Sequence, residues 1–422
     1  MKLARRKWLA FAAAVMASVG LCSAGMQAQA EELPPIKIGA AIAQTGPLAG
    51  GGKSSLLSLQ IWRDDVNAKG GLLGRKVELV IYDDQGVPSH EPGIYTRLMD
   101  VDKVDLLISP YGTNPTAAVL QTIKQRDRLM IGNFAFANNT EIKHDKYFQI
   151  APWGDGAQAW AGAFIEPGLK LGAKTIAFLA ADTDFSQTLA NGAREMAKQK
   201  GLKVVFDQSY PASTVDFSSL LRSLKAAKPD LVFVASYPSD SAAIVRSINE
   251  IGVGSSVKML GGGMVGLQYA SMLESLGPLL NGIVNYAQYV PEKTVDFPGM
   301  KQFFERYSKL AATEKVDPLG YYLAPFGYAA GQVLEQAVTE TKTLDNKVLA
   351  QYIHTHPMKT IVGDIKFTSI GEWASPRVFE TQYQGVVGKG LDQFRRPGTQ
   401  VIIYPEQFKS GELRAPFEKA RQ

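Results

Sequence analysis

Asp105-Leu-Leu-Ile-Ser-Pro-Tyr-Gly-Thr-Asn-Pro-Thr116 sets a continuous apolar run directly before a turn and a helix start. Leu106, Leu107 and Ile108 suit a strand covered on both faces, the pattern of a parallel sheet. Pro110-Tyr-Gly112 is expected to end that strand. Thr113 is expected to be the N-cap of a helix running from 117 to about 125, and Pro115 fits its first turn because the N–H it lacks has no helical partner there. Such a helix start, with free N–H groups, a hydroxyl and a positive dipole end, is a site for a carboxylate. In an isolated strand-turn-helix Thr113 would be a cap and nothing more, so its neighbours decide.

Outward from this stretch the chain runs in strand-helix units. Strands are expected at 36–43, 77–82 and 129–132, with helices at 54–67 and 92–100. After a pause at 149–153 a second series begins, with strands at 175–180, 203–206, 230–235 and 258–260 and helices at 157–171, 187–199, 217–227 and 241–251. Alternation of this kind means right-handed crossovers and a parallel sheet, so the fold class is α/β with two doubly wound, Rossmann-like lobes. A strand at 283–289 and helices at 297–311, 321–339 and 345–353 lack a sheet of their own and are expected to return to the first lobe. Segments 363–367 and 378–386 then pass between lobes as late strands. Ligands of doubly wound sheets sit at the carboxyl ends of strands, which points to the cleft between the lobes.

The 422 residues are 45% hydrophobic and 20% charged, enough for two domains with sizeable cores. Lys2, Arg5, Arg6 and Lys7 precede an apolar run over 8–21, and Ala28-Gln29-Ala30 follows, which reads as a secretory signal cleaved after Ala30. Leu21 disfavours the lipoprotein alternative at Cys22, while Arg5-Arg6 leaves twin-arginine export open beside the ordinary route. Without residues 1–30 the formal charge falls from +5 to +1, which gives no electrostatic footprint for nucleic acid. The single cysteine leaves with them, so disulfides, thiolate metal sites and a cysteine nucleophile are excluded from the mature protein.

His354-Thr-His356-Pro357 reads as a solvated turn, and neither metal nor cofactor is expected. Thr45-Gly-Pro-Leu-Ala-Gly-Gly-Gly-Lys-Ser54 resembles a nucleotide loop, but Pro47 stands where its first glycine belongs. Gly261-Gly-Gly263-Met-Val-Gly266 fits a dinucleotide fingerprint in spacing but has no acid about twenty residues on. Asp83-Asp84 reads as turn and cap residues, because neighbours in extended backbone point opposite ways. No nucleophile-base pair is visible, so the chain is not read as an enzyme. Tyr321, Tyr322, Phe326 and Tyr328 read as the core of a long helix.

Ile38-Gly-Ala-Ala-Ile-Ala-Gln-Thr-Gly-Pro47, Asn67-Ala-Lys-Gly-Gly71, Tyr82-Asp-Asp84, the stretch from Asp105 to Thr116 and residues 322–337 together resemble the branched-chain-amino-acid-binding proteins that serve ABC importers. The resemblance covers nearly all of the mature chain. It implies a type I periplasmic binding fold with a three-strand hinge, a periplasmic location, a small organic acid or amino acid as ligand, permease and ATPase subunits as partners, and a monomer. The lobes are then expected at 31–150 plus 284–378 and at 151–283 plus 379–422. A periplasmic amide or acid sensor of the same fold is the alternative.

By the same resemblance the carboxylate-binding hydroxyl falls on Thr113, beside Tyr111 and Gly112. Ala135-Phe136 stands where the family often has a second hydroxyl, and the aromatic that covers the ligand falls near Gly51 and is absent. The second lobe's usual tyrosine matches Phe185, with Tyr237 and Trp153 as further cleft residues. The acid that receives an α-ammonium falls among Gly261 to Met264, where Gly263 is counted as a site residue and no acid exists. Asp182 and Asp184 are the candidate replacements. An unpaired buried ammonium is costly, so an aromatic or hydrophobic carboxylate is expected rather than an amino acid. Phe134 is assigned to the lobe core, away from Phe136.

Overall fold

A computed structural model describes residues 33–136, 139–154 and 156–422. The expected signal and its cleavage after Ala30 lie outside them. The first lobe begins with β1 (Ile36–Ala41), α1 (Ala49–Ala68), β2 (Val77–Tyr82), α2 (Glu91–Asp100), β3 (Leu106–Tyr111), α3 (Thr113–Gln125), β4 (Met130–Asn133) and β5 (Tyr147–Gln149). Its five strands pair in parallel in the order β2-β1-β3-β4-β5. All six residues of β3 are buried, as its apolar run requires. Pro110 does not end the strand: β3 continues to Tyr111, and a register shift between Ile108 and Tyr111 absorbs the residue that cannot donate to the ladder.

The second lobe follows with α4 (Gln158–Lys170), β6 (Thr175–Ala181), α5 (Asp184–Gln199), β7 (Lys203–Tyr210), α6 (Ser218–Ala227), β8 (Leu231–Ser236), α7 (Pro238–Ile251), β9 (Met259–Met264), α8 (Ala270–Leu276) and β10 (Val284–Ala287). Its parallel strands run β7-β6-β8-β9-β10, the same order as in the first sheet when counted from the start of the lobe. Strand β10 belongs to this sheet, so the chain turns back toward the first lobe after Ala287 and not at 284 as expected.

The return segment holds α9 (Met300–Glu314), α10 (Ala324–Thr341), α11 (Asn346–Thr355) and a hairpin of β11 (Met358–Thr360) and β12 (Gly363–Ile365). This hairpin pairs with neither main sheet, a departure from the crossing strand expected there. Strands β13 (Phe379–Tyr383) and β14 (Gln400–Tyr404) then extend the second sheet antiparallel beyond β10. Strand β14 has no counterpart in the sequence reading, being a short run among turn residues.

Helix α10 packs on α1 through two glycines. A Cβ at Gly331 would overlap the Trp62 ring, and one at Gly327 the Ser58 side chain. Trp62, itself fully buried, donates its Nε1–H to Glu335 at 3.0 Å. Gly331→Ala is therefore expected to cost about 1–3 kcal/mol through overpacking, read as a lower urea midpoint with unchanged slope.

Three connections join the lobes, and Arg377 ties them together. It lies in the third connection, its N–H donates to the Pro152 carbonyl of the first at 2.6 Å, and its guanidinium stands 4.3 Å from the Phe297 ring centre of the second. Trp373 and Phe379 complete an aromatic surround. Burial without a carboxylate pushes the Arg377 pKa down to about 10.

Candidate ligand-binding cleft

Corresponding strand ends of the two sheets face one narrow cavity, with room of only about 10 Å³ for the centre of a water molecule. From the first lobe come Leu48 after β1, Tyr111 at the end of β3, Gly112 and Thr113 at the start of α3, Phe134 after β4, and Tyr322 just before α10. The second lobe supplies Phe185 in the first turn of α5, Tyr237 just before α7 and Val265 after β9, and Trp153 enters from the first connection. These positions flank the points where strand order reverses, between β1 and β3 and between β6 and β8. None of the ten lining residues is charged.

Thr113 does not cap its helix. Gly112 is the N-cap, with φ of 101° that favours glycine, and no side chain caps the helix. The Thr113 hydroxyl instead accepts the Phe136 N–H at 3.0 Å, which leaves its own hydrogen to be donated elsewhere. The first turn of α3 thus keeps uncapped N–H groups beside a cavity-lining hydroxyl, and Pro115 contributes no N–H to be satisfied.

Aromatic rings form the walls. Phe136, half-buried and outside the lining, has its ring centre 4.6 Å from Trp153 and stacks on Phe185 at 5.7 Å. Phe185 lies 5.3 Å from Tyr237, and Trp153 packs on Phe134 at 5.1 Å. Gly51, where a covering aromatic was expected and missing, has no room for one: a Cβ there would stand 2.6 Å from the Tyr111 ring. Tyr111 fills the place of that side chain.

At the floor, the Tyr111 hydroxyl donates to Tyr322 at 3.3 Å and lies 3.2 Å from that of Tyr269, across the two lobes. Burial raises the pKa of Tyr111, Tyr269, Tyr286 and Tyr322 well above the ordinary phenol value, so all four stay protonated. The lobes also meet at the rim, where the Asn114 amide donates to Asp184 at 3.1 Å.

Several expected site residues lie elsewhere. Gly263 faces the sheet interior, where a Cβ would stand 2.6 Å from Leu189 of α5, so strand alternation turns it from the cavity. Ala135 packs into the cluster behind β3 and β4 with Leu107, Met130 and Tyr147. Asp182 and Asp184 are exposed and are not among the residues lining this cavity, the second held by Asn114. Phe134 is buried in the core as expected and, with a positive φ of 59°, also lines the cavity, while Tyr322 precedes the helix to which it was assigned. Leu48 and Val265 could have been found by taking the residues just beyond every parallel strand. Asp83 holds the loop after β1, accepting the Gln44 N–H at 2.9 Å and the Thr45 hydroxyl at 2.7 Å.

Residues 35–376 match the periplasmic binding protein family. The Leu/Ile/Val-binding protein homolog 7 of Brucella abortus is 27% identical over 417 residues, spanning 94% of this chain and 98% of the relative. Among solved structures, the branched-chain amino acid transporter substrate binding protein LivJ of Streptococcus pneumoniae, in complex with isoleucine, superposes with a TM-score of 0.69 at 20% identity over 82% of this chain and 96% of its own. A solute binding protein of an ABC transporter from R. palustris, in complex with benzoate, gives 0.70 at 19% identity over 87% and 95%. With two doubly wound lobes, three connections and this match over most of its length, the chain belongs to the periplasmic binding protein family and has the type I fold of its branched-chain-amino-acid-binding members.

Proposed function

We propose that the protein is the periplasmic substrate-binding component of an ABC importer, and that its cleft closes as a monomer around a small carboxylate with an aromatic or hydrophobic body. One observation carries the ligand class: a cavity walled by aromatic rings, without a charged side chain, that still presents the Thr113 hydroxyl beside an uncapped helix start. These groups suit one anionic end and an apolar body. The fold accommodates isoleucine in one neighbour and benzoate in another, so neither ligand class is foreign to it. The names of the sequence relatives favour a branched-chain amino acid as the second reading. We keep the lobes at 31–150 and 151–283 with their return segments, moving the first return from 284 to the end of β10.

A thermal-shift panel of amino acids, aromatic acids and aliphatic acids tests the class, since a ligand at 100 times its Kd adds ~2.7 kcal/mol of stability. Thr113→Ala is expected to weaken binding by about 1.5–3 kcal/mol, the range for a hydrogen bond to a charged group, with a smaller change in unfolding midpoint. Calorimetric titration reads the first and thermal denaturation the second. Unchanged affinity with lost stability would reduce Thr113 to a partner of the Phe136 loop.

A further inference from the structure

The loop between α9 and α10 is anchored on the first lobe and reaches into the second. Both helices pack on α1. The loop is seated on α9, where the Tyr307 hydroxyl donates to the Asp317 carbonyl at 3.1 Å and a Cβ at Gly320, whose φ is 64°, would overlap the Tyr307 ring. One oxygen of the Asp317 carboxylate shapes the turn by accepting the N–H groups of Leu319 and Gly320 at 2.9 and 3.0 Å. Its other oxygen crosses to the second lobe and accepts the Ala270 N–H, where α8 begins, at 2.8 Å. The Arg395 guanidinium, between β13 and β14, donates to the Pro318 carbonyl at 3.2 Å. Leu319, 1% exposed, joins a buried cluster whose other members, Leu267, Leu273 and Phe394 among them, come from the second lobe. Two tyrosines of the cleft floor adjoin these contacts in sequence: Tyr269 precedes Ala270, and Tyr322 follows Gly320 by two residues.

We propose that residues 317–320 are a latch that holds the lobes closed and sets how long a ligand stays in the cleft. None of the four lines the cavity, so the latch acts without touching what is bound. Opening about the three connections moves the lobes as bodies, and a segment seated on one while buried in the other has to be pulled free. Leu319 is then exposed, and the Asp317 oxygen and Pro318 carbonyl turn to water. The closed state is favoured by the worth of these contacts whatever the cleft contains, so every ligand's affinity carries the same factor. This latch presupposes the closing cleft proposed above but not its carboxylate class.

The test places one spin label on each lobe of the full mature protein, through Gln121→Cys on α3 and Lys198→Cys on α5, both exposed. Cys22 is the only cysteine of the sequence and leaves with the signal, so no other site is labelled. Double electron–electron resonance reads the lobe separation in this background, in Asp317→Asn and in Leu319→Ala. Asparagine keeps one acceptor oxygen for its own turn and lacks the second that reaches Ala270. Stopped-flow release is followed in parallel for leucine, benzoate and 4-methylpentanoate. In both variants the unliganded protein is expected to shift toward longer distances. Release of every probe that binds is expected to quicken by a common factor, about fivefold for Asp317→Asn and about tenfold or more for Leu319→Ala, with association unchanged. Unchanged distances in both variants, even with a lower urea midpoint, would overturn the latch and leave the loop a purely structural element. Quickened release of one probe alone would also overturn it, by making the loop a support for Tyr322. If Leu319→Ala fails to fold, Asp317→Asn decides. Should none of the three probes bind, the ligand class proposed above falls, while the distances still decide the latch.

Discussion

Glu91→Gln is expected to raise stability at pH 8 by about 2–4 kcal/mol and to leave it unchanged near pH 4. Glu91 opens α2, fully buried, with its carboxyl facing that of the equally buried Asp84. Burial, and then the Asp84 charge, push the Glu91 pKa from 4.5 up to about 9. Across that window the folded protein holds a proton that the unfolded chain has released. Stability must then fall with rising pH, by ~1.4 kcal/mol per unit for each such proton. Glutamine mimics the protonated acid, keeps a donor for Asp84 and removes the penalty.

Glu380 of β13 acts in the same direction: fully buried, with neither carboxyl oxygen hydrogen-bonded, its pKa is raised by burial alone. His144 opposes this trend in more acidic solution, because burial lowers its pKa from 6.5 and folding then excludes a proton. Urea denaturation between pH 7.5 and 8.5, where an unfolded histidine is largely deprotonated, therefore reads the buried carboxyls without His144. A flat native profile there would show that these carboxyls ionise in place, and the glutamine variants would then gain nothing.

The second large effect concerns the ligand. Deaminated acids such as 4-methylpentanoate or phenylpropionate are expected to bind at least roughly 100-fold tighter than leucine or phenylalanine, about 2.7 kcal/mol. No aspartate or glutamate lines the cavity, and the two carboxylates nearest in sequence to Phe185 are exposed. The aromatic walls could offset part of the cost of an ammonium, but a cation–π contact supplies ~2 kcal/mol against the several required to desolvate it. Paired calorimetric titrations at one pH decide the point. Tighter binding of the amino acid would refute the discrimination and direct attention to Asp184, which would have to leave Asn114 and turn inward.

The lobes were legible because parallel strands buried on both faces read as apolar runs, and Leu106 to Ile108 is such a run at the start of β3, which is buried from end to end. The part of the candidate site at the ends of those strands was legible for the same reason: Tyr111 is the last residue of β3, and Thr113, Phe185 and Tyr237 stand beyond strands that could be read. What the sequence concealed was side-chain direction. Phe134 is core, as read, but it reaches the cavity as well because of a left-handed backbone that cannot be foreseen for a phenylalanine, and Gly263 was misplaced because nothing local says which face of β9 it occupies. The tyrosine floor was hidden differently: Tyr111, Tyr269, Tyr286 and Tyr322 come from four segments, and only the tertiary fold joins them.

The seam between α1 and α10 also governs the order in which the chain can be completed. Trp62 meets its hydrogen-bond partner 273 residues further along, so a growing chain that has already made every strand of the first sheet still carries that indole bare. The first lobe can gather early but cannot finish until nearly the whole polypeptide has emerged, whereas β6 to β10 need no later segment to pair among themselves. For a chain released from its amino end, the half made first is the half sealed last, and a truncation before residue 331 is expected to leave it open to proteases while the second sheet's parallel core holds.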